Sequence, residues 1–185
     1  TSTSNLTGNY TINVFSSNDV FMSSKTIQVE EFMPDRIRVS ANFPKKQYEV
    51  GEEAVLKVNA QNLFGTPAAN RNYEIEVNYR RNYIYPKGLE NYSFNISNRN
   101  YDFSTLQREG TTDSNGDVTE VFEIPTEYEN MGKLSAVIYS TVFDETNRPV
   151  NRKNLIDIST QDAYFGIGNF DYYVGTNNQI DIPLV

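Results

Sequence analysis

Two carboxylate pairs in the sequence have the residue types that acid–base chemistry uses. Glu30 and Glu31 are adjacent within VEEFMPDRIRV, residues 29–39, and Glu52 and Glu53 are adjacent further along the chain. Carboxylates act as a general acid and base only when both reach the reacting group. Both pairs stand at predicted strand ends or turns, where adjacent side chains point to opposite faces. We therefore expect no catalytic residue here, and no cavity on which three acidic groups converge.

The segment DSNGD, residues 113–117, resembles half of a calcium-binding loop. It places two aspartates and Asn115 at alternate positions. A complete loop also needs a bidentate Glu at its twelfth position, which in this chain is Ile124. The pattern therefore fails as a metal site, and we predict a hairpin turn at Asn115–Gly116 instead.

Cofactor and nucleophile chemistry has little support in the sequence. GIGNFD, residues 166–171, lacks the third glycine and the following helix of a dinucleotide-binding loop. Cysteine and histidine are both absent, which removes thiol nucleophiles, most zinc sites and the commonest general base near neutral pH. We expect no cofactor, no metal and no enzymatic activity in this chain.

A cluster of tyrosines between residues 79 and 103 could form a sugar-stacking surface. Its members are Tyr79, Tyr83, Tyr85, Tyr92 and Tyr101, together with Phe94 and Phe103. Tryptophan, which carbohydrate platforms usually carry, is absent. Packing within the core and along sheet edges is therefore the favoured interpretation, because aromatic rings must supply much of the apolar volume.

The charge of the chain limits its partners. The net charge is −8 over 185 residues, so there is no basic stripe to neutralise nucleic-acid phosphates. The longest apolar runs are far shorter than the roughly 20 residues that span a bilayer. The chain begins TSTSNLTGNY without an initiator Met, and we expect that it is a segment of a longer protein.

Alternation of apolar and polar residues with a period of two runs through most of the chain. It is clear at 10–14, 27–30, 37–43, 54–61 and 73–79 and returns after residue 117. This period is typical of half-buried strands. The segment 133–143 is apolar on both phases, so we expect it at the centre of a sheet. Residues 36–160 are predicted to form an antiparallel two-sheet β-sandwich of about seven strands.

Two stretches depart from this pattern. Residues 126–131, TEYENM, could form a single helical turn with Thr126 as its N-cap and Glu129 three residues later. Residues 80–110 are the least regular, and we expect one elaborated strand pair with long loops. The remaining runs are separated by clusters of Gly, Pro, Asn and Asp that are typical of turns.

The segment VEEFMPDRIRV, residues 29–39, is best explained as a joint between two strands. Pro34 lacks an amide N–H and restricts the residue before it. One strand should therefore end near Phe32, and the next should begin at Arg36. Glu30, Glu31, Phe32 and Pro34 are accordingly predicted to form an interdomain junction.

These residues resemble the junction between consecutive macroglobulin-type domains of the alpha-2-macroglobulin and complement C3-like family. YEVGEEAVLKVNAQNLFGTPAAN, residues 48–70, is similar to that family's second-strand region. TTDSNGDVTEVFEIP, residues 111–125, is similar to its later hairpin. EEFMPDR and the absence of cysteine fit the bacterial branch best.

The resemblance implies where the domain boundaries lie. The domains would be of the macroglobulin type, which is fibronectin- and immunoglobulin-like. Residues 1–33 would be the terminal hairpin of a preceding domain, residues 34–160 a complete domain, and residues 161–185 the first strand or strands of a following one. We expect 10–14 to pair with 27–29 as a hairpin. This hairpin, or the tail around Ile180–Ile182, is further expected to cause strand-mediated self-association of the isolated chain.

The resemblance also implies a function, a set of partners and a location. The chain would be a non-catalytic structural segment of a protease-trapping protein, an endopeptidase inhibitor. Its partners would be the neighbouring domains of the parent chain and, through the parent, target proteases. The location would be the cell envelope, on the periplasmic side, as part of a membrane-anchored lipoprotein. The alternative is an adhesion or glycan-binding β-sandwich module of a cell-surface protein.

Overall fold

The computed structural model describes residues 8–29, 35–96, 102–170, 173, 175–176 and 179–185. The chain divides into two compact units, residues 1–35 and residues 36–185. Over the described residues the chain forms strands, turns and one short 3-10 helix, with no α-helix. The predicted all-β fold class is therefore confirmed.

The first unit contains an antiparallel hairpin of β1 (Gly8–Phe15) and β2 (Phe21–Val29). Tyr10 lies opposite Ile27, which confirms the predicted pairing. Because side chains alternate between faces along a strand, the register gives the hairpin one polar face and one largely apolar face. The exposed members of the apolar ribbon face, as we call it, are Tyr10, Ile12, Val14 and Ile27.

The second unit is a β-sandwich with a small ribbon beside it. Its strands are β3 (Ile37–Asn42), β4 (Gln47–Glu49), β5 (Glu53–Asn62), β6 (Asn72–Arg81), β7 (Tyr92–Ser93), β8 (Leu106–Thr111), β9 (Asp117–Glu123), β10 (Leu134–Phe143), β11 (Pro149–Ser159) and β12 (Ile167–Gly168). The larger sheet has the order β4–β11–β10–β6–β8, and the smaller has the order β3–β5–β9. Strand β7 pairs with β12. Seven of the strands between residues 36 and 160 have six or more residues, as the sequence predicted.

The core lies between the two sheets, and the alternation in the sequence decides which side chains enter it. In β5, Leu56 and Val58 are buried, whereas Val55 faces outward opposite Val121. Strand β10 lies between β11 and β6, and its first five residues, Leu134 to Ile138, are all buried. The predicted central position of 133–143 is confirmed.

Side chains of β11 link the two sheets along one seam. The Arg152 Nε donates to the Val39 carbonyl at 2.6 Å, and the Asn154 Nδ2 donates to the Ala41 carbonyl at 3.0 Å. Both carbonyls belong to β3, which is an edge strand of the smaller sheet. An open edge is a template for unwanted strand pairing, and these donors occupy it.

Two local predictions are wrong. The turn DSNGD is not a hairpin turn, because β8 pairs with β6 in the larger sheet and β9 pairs with β5 in the smaller one. A tight glycine turn fixes the chain reversal but not the sheet that the next strand joins. Thr126 does not cap the 3-10 helix over Thr126–Tyr128 but is its first residue. The N-cap position is Pro125, which makes no side-chain cap hydrogen bond.

Candidate functional site: the two poles of the sandwich

The predicted junction residues Glu30, Glu31, Phe32 and Pro34 lie outside the described residues. The described chain resumes at Asp35, and Arg36 is the first residue of the second unit. Arg36 therefore follows the predicted junction closely in the sequence and begins the second unit.

Three turns surround the start of β3 and form what we call the N-terminal pole, comprising Arg36 and residues 63–71, 112–116 and 144–148. Ile37 lies opposite Asn62 at the end of β5, so the first of these turns begins next to the point where β3 starts. The Asn70 N–H donates to the Thr112 carbonyl at 3.0 Å, joining the first turn to the second.

Glu145 joins two cations at this pole. Its Oε1 lies 3.3 Å from Arg36 Nη1, and its Oε2 lies 3.4 Å from Arg71 Nη2. Exposed ion pairs contribute little each, but a shared carboxylate couples the start of β3 to the segment before β6. Glu145 comes from the β10–β11 turn, so residues distant in sequence meet here.

The turn that carries Glu145 is held by its neighbour Asp144. The Asp144 Oδ1 accepts hydrogen bonds from the Thr146 N–H at 2.7 Å and the Arg148 N–H at 3.0 Å. Burial of Asp144 opposes its ionisation, but these donors outweigh it, so the pKa of Asp144 lies below its usual value. The result is a rigid turn that presents Glu145 to both arginines.

The DSNGD segment closes the pole from the side of the smaller sheet. The Asp113 Oδ1 accepts from the N–H groups of Asn115 and Asp117 at 2.8 and 2.7 Å. The Ala60 N–H donates to the Gly116 carbonyl at 2.8 Å. Gly116 has a φ of +76°, and an added Cβ would lie 2.1 Å from the Ala60 carbonyl oxygen. Asp113 therefore shapes a turn within the fold, and Gly116 is needed for its contact with β5.

A small ribbon is formed by β7, β12 and the last residues of the chain. Strand β12 pairs with β7 on one side and with the last residues on the other, where the Gly168 N–H donates to the Pro183 carbonyl at 2.8 Å. An added Cβ on Gly166 would meet the Phe94 ring at 2.6 Å, and one on Gly168 would meet Tyr92 at 3.1 Å. The glycines of GIGNFD thus make room for aromatic rings.

Comparison with known proteins identifies the family of the sandwich. The family model of the bacterial alpha-2-macroglobulin MG5 domain matches residues 35–158. The chain belongs to this family. Alpha-2-macroglobulin of Rickettsia conorii is 29% identical over 164 residues, which is 83% of this chain and 8% of that protein.

Solved structures of other alpha-2-macroglobulins have the same fold. The native conformation of the Escherichia coli protein, determined by electron cryo-microscopy, has a TM-score of 0.67 at 19% identity and covers 96% of this chain and 11% of that one. A crystal structure of the trypsin-activated Escherichia coli protein has a TM-score of 0.62 at 21% identity and covers 88% of this chain and 11% of that one. Our chain therefore spans about a tenth of these relatives.

The tyrosine cluster of this macroglobulin segment divides into packed and exposed rings. Tyr128, outside the predicted cluster, stacks edge-on against Tyr79 at 5.0 Å and Phe103 at 5.3 Å between ring centroids. Burial raises the pKa of Tyr79 well above its usual value. The rings of Tyr83 and Tyr85 are instead exposed, with centroids 6.2 Å apart. Tyr101 lies outside the described residues.

The expectation that acidic groups would not converge on one cavity is wrong. Glu74, Glu76 and Glu109 line a cleft of about 540 Å³ on the outer face of the larger sheet, with Arg108 among them. Glu74 lies directly opposite Glu109, and Glu76 is two residues further along β6, so the pleat brings all three to one face. Within the described part of the chain, no group of three or more His, Cys, Asp or Glu residues could hold a metal ion.

Two features of the N-terminal pole are absent from the sequence analysis, and they differ in whether a local pattern could have revealed them. The pairing of Arg36 with Glu145 joins residues separated by 109 positions. The other feature, the exposed Leu63 and Phe64, does have a signal, because two apolar residues stand inside a glycine turn where polar residues are usual. In the part of the chain that the structure describes, no helix is long and apolar enough to span a bilayer.

Proposed function

We propose that this chain is a non-catalytic structural segment of a bacterial alpha-2-macroglobulin, with one complete domain and pieces of its two neighbours. The observation that carries the proposal is the apolar ribbon face of the hairpin β1–β2. An isolated two-stranded hairpin is marginal in water, and this one exposes Tyr10, Ile12, Val14 and Ile27. Such a hairpin needs further strands to cover it, and a preceding domain would supply them.

The proposed boundaries follow from this assignment. Residues 1–33 are the terminal hairpin of the preceding domain, residues 34–160 are the complete sandwich, and residues 161–185 open the following domain. The match of the family model to residues 35–158 supports the middle range. Glu30, Glu31, Phe32 and Pro34 form the junction between the first two.

The pairing of the tail, residues 161–185, bears on its assignment to the following domain. Strand β12 pairs with β7, which precedes it within residues 34–160. The first residues of the following domain would therefore also contact the sandwich. The tail is therefore less available for exchange with a second chain than the hairpin is. Strand-mediated self-association of the isolated chain is expected through the apolar ribbon face, and sedimentation at increasing concentration tests it.

The parent protein is proposed to trap proteases, as an endopeptidase inhibitor of the cell envelope. It would be periplasmic and anchored to the membrane, as the resemblance to the bacterial branch implies. One Escherichia coli relative was crystallised in a trypsin-activated form, and another structure is of the form activated by porcine elastase. Within such a protein, this segment would space and orient neighbouring domains and would contribute no catalytic group.

The test is an activity assay of a protease mixed with the full-length parent protein. A caged protease keeps its activity on a small chromogenic peptide but loses activity on a large protein substrate, because only the small substrate diffuses to it. We expect this split with trypsin or elastase. Loss of both activities would indicate ordinary active-site inhibition, and retention of both would contradict the proposed function.

The adhesion alternative retains one supporting observation. Tyr83 and Tyr85 expose neighbouring rings, inclined by 33° to each other, and Arg81 lies 5.6 Å from the centroid of the Tyr83 ring. Exposed aromatic faces can stack on sugars. Retention of the chain on a glycan array, lost in the Tyr85→Ala variant without a loss of stability, would favour this second function.

A further inference from the structure

The turn after β5 exposes two apolar residues, and hydrogen bonds hold its backbone. Leu63 is about half exposed, and Phe64 is 98% exposed. The Asn62 N–H donates to the Thr66 carbonyl, and the Gly65 N–H donates to the Asn62 carbonyl, both at 2.8 Å. The Asn62 side-chain amide donates further to Thr66 Oγ1 at 3.0 Å. An exposed aromatic in a rigid turn is pre-organised for binding, because little conformational freedom remains to be lost.

The same turn is tied to the first residue of the sandwich. The Leu63 N–H donates to the Arg36 carbonyl at 3.2 Å. The Arg36 side chain is held in turn by Glu145. The point at which the preceding polypeptide enters the sandwich is therefore fixed beside Leu63, and Phe64 is the next residue.

We propose that Leu63 and Phe64 are the anchor through which the sandwich docks on the domain that precedes it in the parent chain. This inference rests on the proposed function, because it assumes that such a domain exists. The two together are called the Leu63–Phe64 anchor below. The partner surface would be apolar, with a recess that accepts a phenyl ring.

The occupant follows from the covalent connection. The hairpin ends at Val29 and the sandwich begins at Arg36, so a fully extended connection separates these two residues by at most about 25 Å. A partner held within this reach meets the anchor at high effective concentration, so even a small contact is occupied. The relatives are about ten times longer than this chain, which leaves room for a complete preceding domain.

Cysteine labelling can test the anchor cleanly, because the chain contains no native cysteine. The Phe64→Cys variant is made in the 185-residue chain and in the full-length parent protein, and each is exposed to a maleimide reagent. The extent of labelling at residue 64 is followed by peptide mass spectrometry, so that other thiols of the parent do not interfere. We expect labelling in the parent to be slower by about ten-fold or more, which corresponds to a contact occupied nine-tenths of the time.

Two further variants separate the possible results. Thr119→Cys is the matched control, because Thr119 is exposed on the outer face of β9, away from the anchor. Ile12→Cys reports on the apolar ribbon face, and its protection in the parent tests the proposed function itself. Protection at 64 and 12 without protection at 119 supports both proposals.

The remaining results overturn one proposal or both. Protection at 12 with equal labelling of 64 in both proteins would refute the anchor and leave the proposed function standing. Equal labelling of both positions would refute both. Protection of 119 as strong as that of 64 would mean that the parent shields the sandwich generally, and the assignment of Leu63 and Phe64 as the specific contact would be wrong.

Discussion

Replacing Gly116 by alanine should destabilise the sandwich far more than replacing Gly65, although both glycines have a positive φ. Gly116 has a φ of +76° and Gly65 a φ of +85°. A non-glycine residue in this region costs about 1–2 kcal/mol in either position. The added Cβ meets nothing within 4 Å at Gly65, but at Gly116 it would lie 2.1 Å from the Ala60 carbonyl oxygen.

The difference comes from the hydrogen bonds around Ala60. Its carbonyl accepts from the Ala68 N–H at 3.0 Å, and its N–H donates to the Gly116 carbonyl at 2.8 Å. Moving Gly116 away from Ala60 would break or strain both, at roughly 1–1.5 kcal/mol for each bond. The cost of a non-glycine residue at positive φ is added to this. We therefore expect the free energy of unfolding to fall by about 3–5 kcal/mol for Gly116→Ala and by about 1–2 kcal/mol for Gly65→Ala.

Urea titration followed by circular dichroism measures both variants in the 185-residue chain. For a unit of this size, the Gly116→Ala loss corresponds to a decrease in Tm of about 6–20 °C. Equal losses for the two variants would refute the reasoning, because the close approach to Ala60 would then contribute nothing beyond the backbone conformation.

Three further predictions concern stability and can be measured by the same titration. Tyr128→Ala should lower the free energy of unfolding by about 3–5 kcal/mol because its ring is fully buried, whereas Tyr85→Ala, with a side chain 84% exposed, should change it by less than about 0.5 kcal/mol. Burial and a hydrogen bond to a nearby carboxylate raise the pKa of Tyr73 to about 12, so stability should fall as the pH rises from about 10 to about 12, and Tyr73→Phe should make this fall shallower. Arg152→Ala should cost about 1–3 kcal/mol, because it leaves the Val39 carbonyl on the edge of β3 without this donor; a loss near zero would show that water replaces it.

The parts of the fold that were predictable depend on local alternation. The register of β1 with β2 follows from the apolar positions of the two strands, since a slip of one residue would reverse every side chain. The central place of β10 follows from its apolar residues on both phases. The assignment of β8 and β9 to different sheets did not follow, because a turn such as DSNGD is compatible with either arrangement.

The candidate site was less predictable than the fold, because it is assembled by long-range contacts. Glu145 has no local pattern that announces its pairing with Arg36 and Arg71. The tyrosine-rich stretch is another feature that local sequence predicts only in part. Tyr79 is buried in the core, as the alternation along β6 requires. Tyr85 extends into solvent, and its exposure depends on the course of the chain between β6 and β8.

The central claim is that residues 36–185 fold without the hairpin β1–β2, because this hairpin belongs to another domain. The most direct measurement is the free energy of unfolding of residues 36–185 alone, compared with that of the whole chain. We expect values within about 0.5 kcal/mol of each other, with the shorter protein a folded monomer at concentrations where the whole chain self-associates. Failure of residues 36–185 to fold, or a loss of several kcal/mol, would show that the hairpin is part of this sandwich and would contradict the account.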